Sequence, residues 1–409
     1  MLNKKIFNDP VYGFITAPNE IIIRLIDHPY LQRLTRIRQL GLTYLVYPGA
    51  LHTRFHHALG ALHLMMMALE TLRSKGIKIT DEEAEAACIA ILLHDIGHGP
   101  YSHALENIFI KGASHEMLTG LFLEKLNKYF KGELSTAIKI FKNKYPKKFL
   151  HELVSSQLDM DRLDYLNRDS FYSGVSEGVV SYDRIIKMLN VYNDELVVEA
   201  KGIYSVEKFL IARRLMYWQV YLHKTVLAAE QLLVNIVNRA KQLSLDGKNL
   251  FATPSFSFFL TNEITKKDLI KNELVLNQFS AIDDFDIFAS VKAWMDCDDK
   301  ILSVLCRMMI NRRLYKIRLQ NNPLEEKEIK KLKTKAKKLF SANDGETEYY
   351  AFAGSVTNSA YNSTEKINIL FKDNTVKDIA DASDLPNISV MSTTVRKYFL
   401  CGFKEVMAL

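Results

Sequence analysis

The feature that most constrains this chain of 409 residues is a hydrophobic repeat of helical spacing that runs from about residue 20 to about residue 340. Apolar side chains that recur every three to four positions need a neighbouring helix to cover them, so most of the chain is committed to helices packed on helices. Strand-like patterning is expected only near the C-terminus. There INILF and the TVKDI run flank Lys372, Asp373 and Asn374, which predicts a hairpin. The expected fold is mainly α: a helical core over residues 1–340 and a small α+β C-terminal subdomain over residues 341–409. The Asn-, Asp-, Ser- and Gly-rich stretch from Ser341 to Glu348 serves as linker.

One helix can be read in detail. Thr80 and Glu83 bracket Asp81 and Glu82 as a capping box, so a helix starts there. Ala84, Ala87, Cys88, Ile91 and Leu92 give it a buried face, and Gly97, Gly99 and Pro100 end regular structure. His94 and Asp95 then fall in its last turn. Further on, Ile329, Leu332, Ala336 and Leu339 form an apolar stripe among the lysines of residues 325–340, which predicts an amphipathic helix with a solvated basic face. A helix that binds polyphosphate or nucleic acid is the rival reading.

Composition excludes several classes. No apolar run approaches the roughly 20 residues of a membrane span, and MLNKKIFNDP lacks the apolar stretch of a signal peptide, so no membrane partner and a cytoplasmic location are expected. Cys88, Cys297, Cys306 and Cys401 are far apart, which argues against a disulfide framework or a thiolate zinc site. A formal charge of +7 suits a protein that handles anions but is only weak support for nucleic-acid binding.

Eight of the eleven histidines fall between His52 and His115, and LLHDIGHGPYSH packs three of them around one aspartate. A single histidine is more often a satisfied core residue than a ligand, so the reading rests on the set. Imidazole and carboxylate ligands suit a borderline divalent ion such as Fe, Mn, Ni, Zn or Co. His94 and Asp95 are adjacent at a helix end and can reach one ion together. Further ligands must come from the His56 and His57 pair and from SQLDMDRLDYLNRD, where spacing does not choose among Asp159, Asp161, Asp164 and Asp169. Such an ion lowers the pKa of bound water from 15.7 toward about 7 and polarises a phosphoryl oxygen. His98, His103 and His115 are candidates for moving protons beside it.

The ordered series R-F-x-H, L-x-H-D-x-G-H-G-P-x-S-H, H-E and D-x-D-x-x-D-Y resembles the HD superfamily, specifically its deoxynucleoside triphosphate triphosphohydrolase branch. The likeness runs from KIFNDPVYG to about Lys224 and is weaker beyond. Within the branch the chain is similar to bacterial dGTPase-like proteins and to the catalytic core of the vertebrate enzymes that join a sterile-alpha-motif to an HD domain. The resemblance implies an HD-domain helical core and places the metal ligands on His57, His94, Asp95 and Asp161, with His56 outside the set. It makes His98, His115 and Glu106 the catalytic group, with a glutamate where the vertebrate enzymes carry an aspartate.

The same resemblance implies a nucleotide site. Arg54 and Arg162 would hold phosphates, with room for Mg on the substrate. Tyr165 would be a steric wall against a 2′-hydroxyl, Asp169 the partner of the 3′-hydroxyl, and Gln39 a neighbour of the sugar. ARRLMYWQVYLHK resembles the helix that closes the pocket, which brings Arg213, Tyr217, Tyr221 and Lys224 near the nucleotide, although Tyr217 replaces a family histidine. An aromatic helix core is the plain alternative there. The family works as assemblies, so a homo-oligomer is expected. In the vertebrate branch a guanine nucleotide activates at a subunit interface; Lys5, Asn8, Asp27 and Gln32 match that region, but Thr35 stands where the base-reading arginine belongs. Three functions compete: hydrolysis of a dNTP to deoxynucleoside and tripolyphosphate, hydrolysis of another phosphoester in the same fold, and nucleotide sensing without turnover.

Overall fold

Thr80 opens the central helix as its capping box predicts: the Glu83 N–H donates to Thr80 Oγ1 at 3.2 Å and the Thr80 N–H to Glu83 Oε2 at 2.9 Å. The computed structural model describes residues 5–358, 361–362, 365–384 and 394–408, without the side chain of His103. In it the Asp81–Leu93 helix is buried almost throughout its second half. It packs against the long Arg54–Ser74 helix, which packs in turn on the Met160–Ser173 helix. Three segments far apart in sequence thus share one helical layer around a continuous apolar core. The Ile203–Met216 helix continues through a π-helical turn, Tyr217–Tyr221, into the Lys224–Leu245 helix. Such turns occur often at functional sites, because the extra residue re-aims side chains.

Strands are not confined to the C-terminal end as expected. Ile6–Asp9 and Gly13–Thr16 form an antiparallel hairpin, and Leu189–Tyr192 pairs with Glu195–Glu199. Elements of four or five residues are too short to show a period. The legible signal in the second hairpin is its two-residue loop, where Asn193 and Asp194 both adopt left-handed backbone conformations, at φ 51° and 65°.

The predicted C-terminal hairpin is present: Asn368–Leu370 pairs with Val376–Asp378 across a turn with Asn374 at φ 62°. Its first strand also lies parallel to Glu195–Glu199. Val395–Gly402 is the middle strand between Lys316–Gln320 and Ala351–Asn358. Strand pairing therefore crosses position 340 in both sheets. The Glu326–Phe340 helix follows the sequence reading, with Ala336 its buried residue and lysines on its solvated face.

The N-terminal hairpin is tied to the core by charge. Arg168, wholly buried in the Met160–Ser173 helix, donates to Asp9 Oδ2 at 2.7 Å and to Asp164 Oδ1 at 2.9 Å. Asp9 Oδ1 also accepts the N–H groups of Val11 and Tyr12. Removing one partner of a buried network leaves an uncompensated charge, whereas an exposed pair is nearly worthless. Arg168→Met is therefore expected to lower the unfolding free energy by about 3–5 kcal/mol. Breaking the exposed Lys330–Glu326 pair with Lys330→Met is expected to change it by no more than about 1 kcal/mol. Urea unfolding of both variants measures this, and equal shifts would contradict the assignment.

Candidate active site

The site is assembled at helix ends. His57 lies in the first turn of the Arg54–Ser74 helix, His94 and Asp95 directly follow the last residue of the Asp81–Leu93 helix, and Asp161 is in the first turn of the Met160–Ser173 helix. His57 Nε2 is 3.2 Å from His94 Nε2 and 3.1 Å from Asp161 Oδ1, and His94 Nε2 is 3.5 Å from the same oxygen. The ligand atoms of His57, His94 and Asp161 form a group that could hold a metal ion. Asp95 sits against it, with Oδ2 3.8 Å from His57 Nε2 and Oδ1 3.5 Å from His94 Nε2.

The surrounding bonds fit a cation. His57 Nδ1 is 2.7 Å from Asp164 Oδ2, and His94 Nδ1 is 2.6 Å from the Ile91 carbonyl. Each outer nitrogen faces an acceptor and so carries a proton, which leaves each Nε2 as the nitrogen that would bind a metal once any proton on it is displaced. Burial opposes charge on His57, but the carboxylates of Asp161 and Asp164 outweigh it and raise its pKa to about 10. The cluster therefore favours positive charge at its centre. His56 is excluded from it, since its Nδ1 accepts the Thr53 N–H at 3.2 Å and lies 2.9 Å from the Thr53 hydroxyl, capping the helix.

The four aspartates that spacing left open have four different settings. Asp159 caps the Met160–Ser173 helix by accepting the Arg162 N–H at 2.7 Å and pairs with the Arg162 guanidinium. Asp161 joins the histidines and Asp164 orients His57. Asp169 Oδ1 is 2.7 Å from His52 Nε2, and its Oδ2 accepts the Tyr221 hydroxyl at 2.8 Å. His52, stacked on Tyr172, belongs to the dense histidine set but was not singled out in the sequence.

Beside the cluster, His98 Nε2 is 3.2 Å from Asp95 Oδ1, and the His98 ring stacks on His115 at 4.0 Å between centroids. Burial and the nearby Arg54 guanidinium hold His98 well below the usual imidazole range, so it is neutral at pH 7. Glu106 Oε1 accepts the His115 N–H at 2.6 Å and lies 2.9 Å from His115 Nδ1, so the longer acid does reach its histidine. The side chain of His103 lies outside the described residues. Arg54 pairs with Asp95, and its Nη2 donates to Ser102 Oγ at 2.7 Å.

Residues with no local signal hold this loop in place. Arg33, fully buried, donates to the His98 carbonyl from both Nη atoms, at 2.9 and 2.8 Å. Thr119 Oγ1 accepts the Gly97 N–H and donates to the His94 carbonyl. A Cβ at Gly97 would stand 2.2 Å from the His115 carbonyl oxygen, so only glycine lets the loop come this close.

A cavity of about 430 Å³ opens onto the cluster. Arg54, Arg162, Arg213, Tyr165, Asp169, Tyr217, Tyr221 and Gln39 all line it, as do His98 and His115. Among the described residues, Gln39 Oε1, Arg162 Nε, and Arg213 Nε and Nη1 are buried there without hydrogen-bond partners. Lys224 is exposed at the start of its helix and does not line the cavity.

The N-terminal group lies elsewhere. Lys5 pairs with Asp27, Asn8 is in the first hairpin, and Gln32 Nε2 donates to the Ile26 carbonyl at 2.8 Å. The matched segment is not one regular helix: Pro29–Gln32 is a single α turn, followed by a 3-10 turn over Arg33–Arg36. Thr35 Oγ1 donates to the Gln32 carbonyl, and Arg36 pairs with Asp283.

Comparison with known proteins places this site in a family. Models of the HD domain and of the HD-associated region match residues 54–169 and 180–252. The chain is 36% identical to the uncharacterized protein YwfO of Bacillus subtilis over 79% of its own length and 73% of that protein. It is 28% identical to a deoxynucleoside triphosphate triphosphohydrolase SAMHD1 homolog of Dictyostelium discoideum, a match covering 71% of this chain and 62% of that one. The crystal structure of a phosphohydrolase from Bacteroides thetaiotaomicron has a TM-score of 0.95 at 51% identity, over 98% of this chain and 100% of that one. The chain belongs to the HD-domain phosphohydrolases. Among the described residues, no helix is long and apolar enough to cross a membrane.

Two tests follow for the cluster. Asp164→Asn keeps every candidate ligand but removes the carboxylate that orients His57, and is expected to weaken metal binding by roughly 10–100-fold. A proton also competes for His57 Nε2 at any pH below about 10, so metal uptake releases it, and affinity should fall by about tenfold per unit of acidification between pH 8 and pH 6. Chelator competition measures both, and an affinity flat in pH would show that no proton is displaced.

Proposed function

We propose that this phosphohydrolase cleaves deoxynucleoside triphosphates to the deoxynucleoside and tripolyphosphate. The observation that carries this reading is one cavity lined by three arginines, the His98–His115 stack and Asp161, the carboxylate that completes the group with His57 and His94. A divalent ion held by that group supplies Lewis acidity toward a phosphoryl oxygen and lowers the pKa of water. The rest falls to the protein. Arg54, fixed by Asp95 and Ser102, and Arg162, fixed by Asp159, present pre-oriented cations to a polyphosphate, and Arg213 brings unpaired N–H donors.

Proton transfer is assigned to His98, His115 and Glu106. The Glu106 carboxylate holds one nitrogen of His115, so the opposite nitrogen is the one placed to exchange a proton with substrate. Tyr165 narrows the cavity against a 2′-hydroxyl. Both Asp169 oxygens already have one partner, His52 and Tyr221, yet a carboxylate oxygen takes two hydrogen bonds, so a 3′-hydroxyl can still be received. Thr35 and Arg36 are both engaged within the protein, so the reading includes hydrolysis with no requirement for a guanine nucleotide, or activation by a nucleotide whose base is read differently, in a homo-oligomer.

Incubating the metal-loaded protein with each dNTP and NTP, with and without GTP, and identifying the phosphate product tests this. Tripolyphosphate from dNTPs without added GTP is expected. Orthophosphate or pyrophosphate would favour a different phosphoester chemistry, and binding without product a sensor. His98→Ala and His115→Ala should retain metal while kcat falls by about 10²–10⁴-fold. Tyr165→Ala should admit ribonucleotides, and equal wild-type rates on GTP and dGTP would refute the sugar assignment.

A further inference from the structure

Glu230 lines the same cavity, fewer than two turns into the Lys224–Leu245 helix. Its helix neighbours Val226, Leu227, Ala229 and Leu233 are buried apolar residues. Among the described residues it has no hydrogen-bond or ion-pair partner, and burial alone pushes its carboxyl up to about 7. Carboxylates placed for stability in this fold are treated differently. Glu83, also at the edge of the core, accepts from the Thr80 N–H, the Tyr145 hydroxyl and Lys147. A carboxyl facing a cavity without a partner costs stability, and the natural compensation is a ligand that supplies donors.

The chemistry of that ligand group is narrow. Among the described residues no cavity arginine pairs with Glu230: Arg54 is held by Asp95, Arg162 by Asp159, and Arg213 keeps its buried Nε and Nη1 without a partner. A polyphosphate would be repelled by an acidic group, so the anionic end of a nucleotide belongs with the arginines and away from Glu230. The remaining part of a nucleotide that is rich in N–H donors is its base.

We propose that Glu230 is a specificity-determining residue that reads the base, accepting from two adjacent donors on one edge, as guanine presents with its ring N–H and exocyclic amino group. The proposal rests on the nucleotide reading of the cavity. Two donors facing the carboxyl favour its ionised form, which offers acceptors only and matches two parallel donors with both oxygens. Adenine, cytosine and thymine each present at most one donor next to an acceptor, and an acceptor facing a carboxylate is left unpaired or repelled.

Glu230→Gln is close to isosteric and replaces one acceptor by a donor, so it tests the chemistry without emptying the site. Binding of dGTP and dATP by calorimetry, on protein treated with chelator to prevent turnover, is the first readout, and kcat and KM for the four dNTPs on metal-loaded protein the second. Wild type is expected to favour dGTP, and Glu230→Gln to weaken dGTP binding by about tenfold or more while dATP changes by less than about threefold. The change should appear in KM, with kcat little altered. A uniform loss across bases, or an unchanged dGTP to dATP ratio, overturns the proposal. Base-selective binding that depends on Glu230 without any hydrolysis would remove the hydrolytic reading and leave this one standing. Turnover of dNTPs with no dependence on Glu230 would do the reverse, and absence of nucleotide binding would remove both.

Discussion

The geometry of the site depends on one buried chain of charge, from Asp9 through Arg168 and Asp164 to His57. Asp164 and Arg168 are wholly buried, so each charge is tolerable only because the other is in place. The reward is orientation: Asp164 fixes which His57 nitrogen faces His94 and Asp161. The chain also sets how close two helices come. A Cβ on Gly60 would stand 2.0 Å from Asp164 Oδ1 and 2.1 Å from Arg168 Nη2, so the Arg54–Ser74 helix gives up a side chain to admit the ion pair.

The second constraint is the loop after the central helix, which must present His94, Asp95 and His98 inward from non-helical backbone. It is held from three directions: Arg33 on its carbonyls, Thr119 on Gly97 and His94, and Arg54 on Asp95 and Ser102. Tyr101 and Ser102 both occupy the left-handed region, at φ 52° and 48°, which non-glycine residues adopt at a cost. That conformation is braced by Asp284, whose Oδ1 accepts the Tyr101 N–H at 2.9 Å. The strain sits where Ser102 must hold Arg54.

What could be read from the sequence was whatever has a local period or cap. The Thr80 capping box, the turn at Asn374 and the amphipathic 326–340 helix are each decided by residues within a few positions of one another. The cluster itself was legible only through an ordered motif series, because the aspartates at 159, 161, 164 and 169 differ in what lies opposite them, which spacing does not encode. Arg33, Thr119 and His52 were missed for the same reason. Their partners are 65, 22 and 117 residues away, and nothing near them in the sequence announces the contact. Strand pairing of residues 195–199 with 368–370 is likewise long-range and left no trace in composition.

The buried polar atoms that the fold leaves unpaired show where its demands end and those of a ligand begin. Among the described residues, eight buried side-chain nitrogen or oxygen atoms lack partners, and five of these belong to Gln39, Tyr101, Arg162 and Arg213 around the cavity. A protein of this size satisfies nearly all of its buried polar groups, so their concentration around one cavity is not a packing accident. Donors and acceptors fixed in place before a ligand arrives need no reorganisation when it binds, and that is the condition under which electrostatic stabilisation of a reacting phosphate is strongest. The rigid end of the cavity, braced by the Asp164 chain and by Arg33, is where bonds would change. The wall formed by the π-helical turn and the helix that follows it brings Tyr217, Tyr221 and Glu230 to the same cavity, where a fixed acceptor selects among ligand groups by the donors they offer.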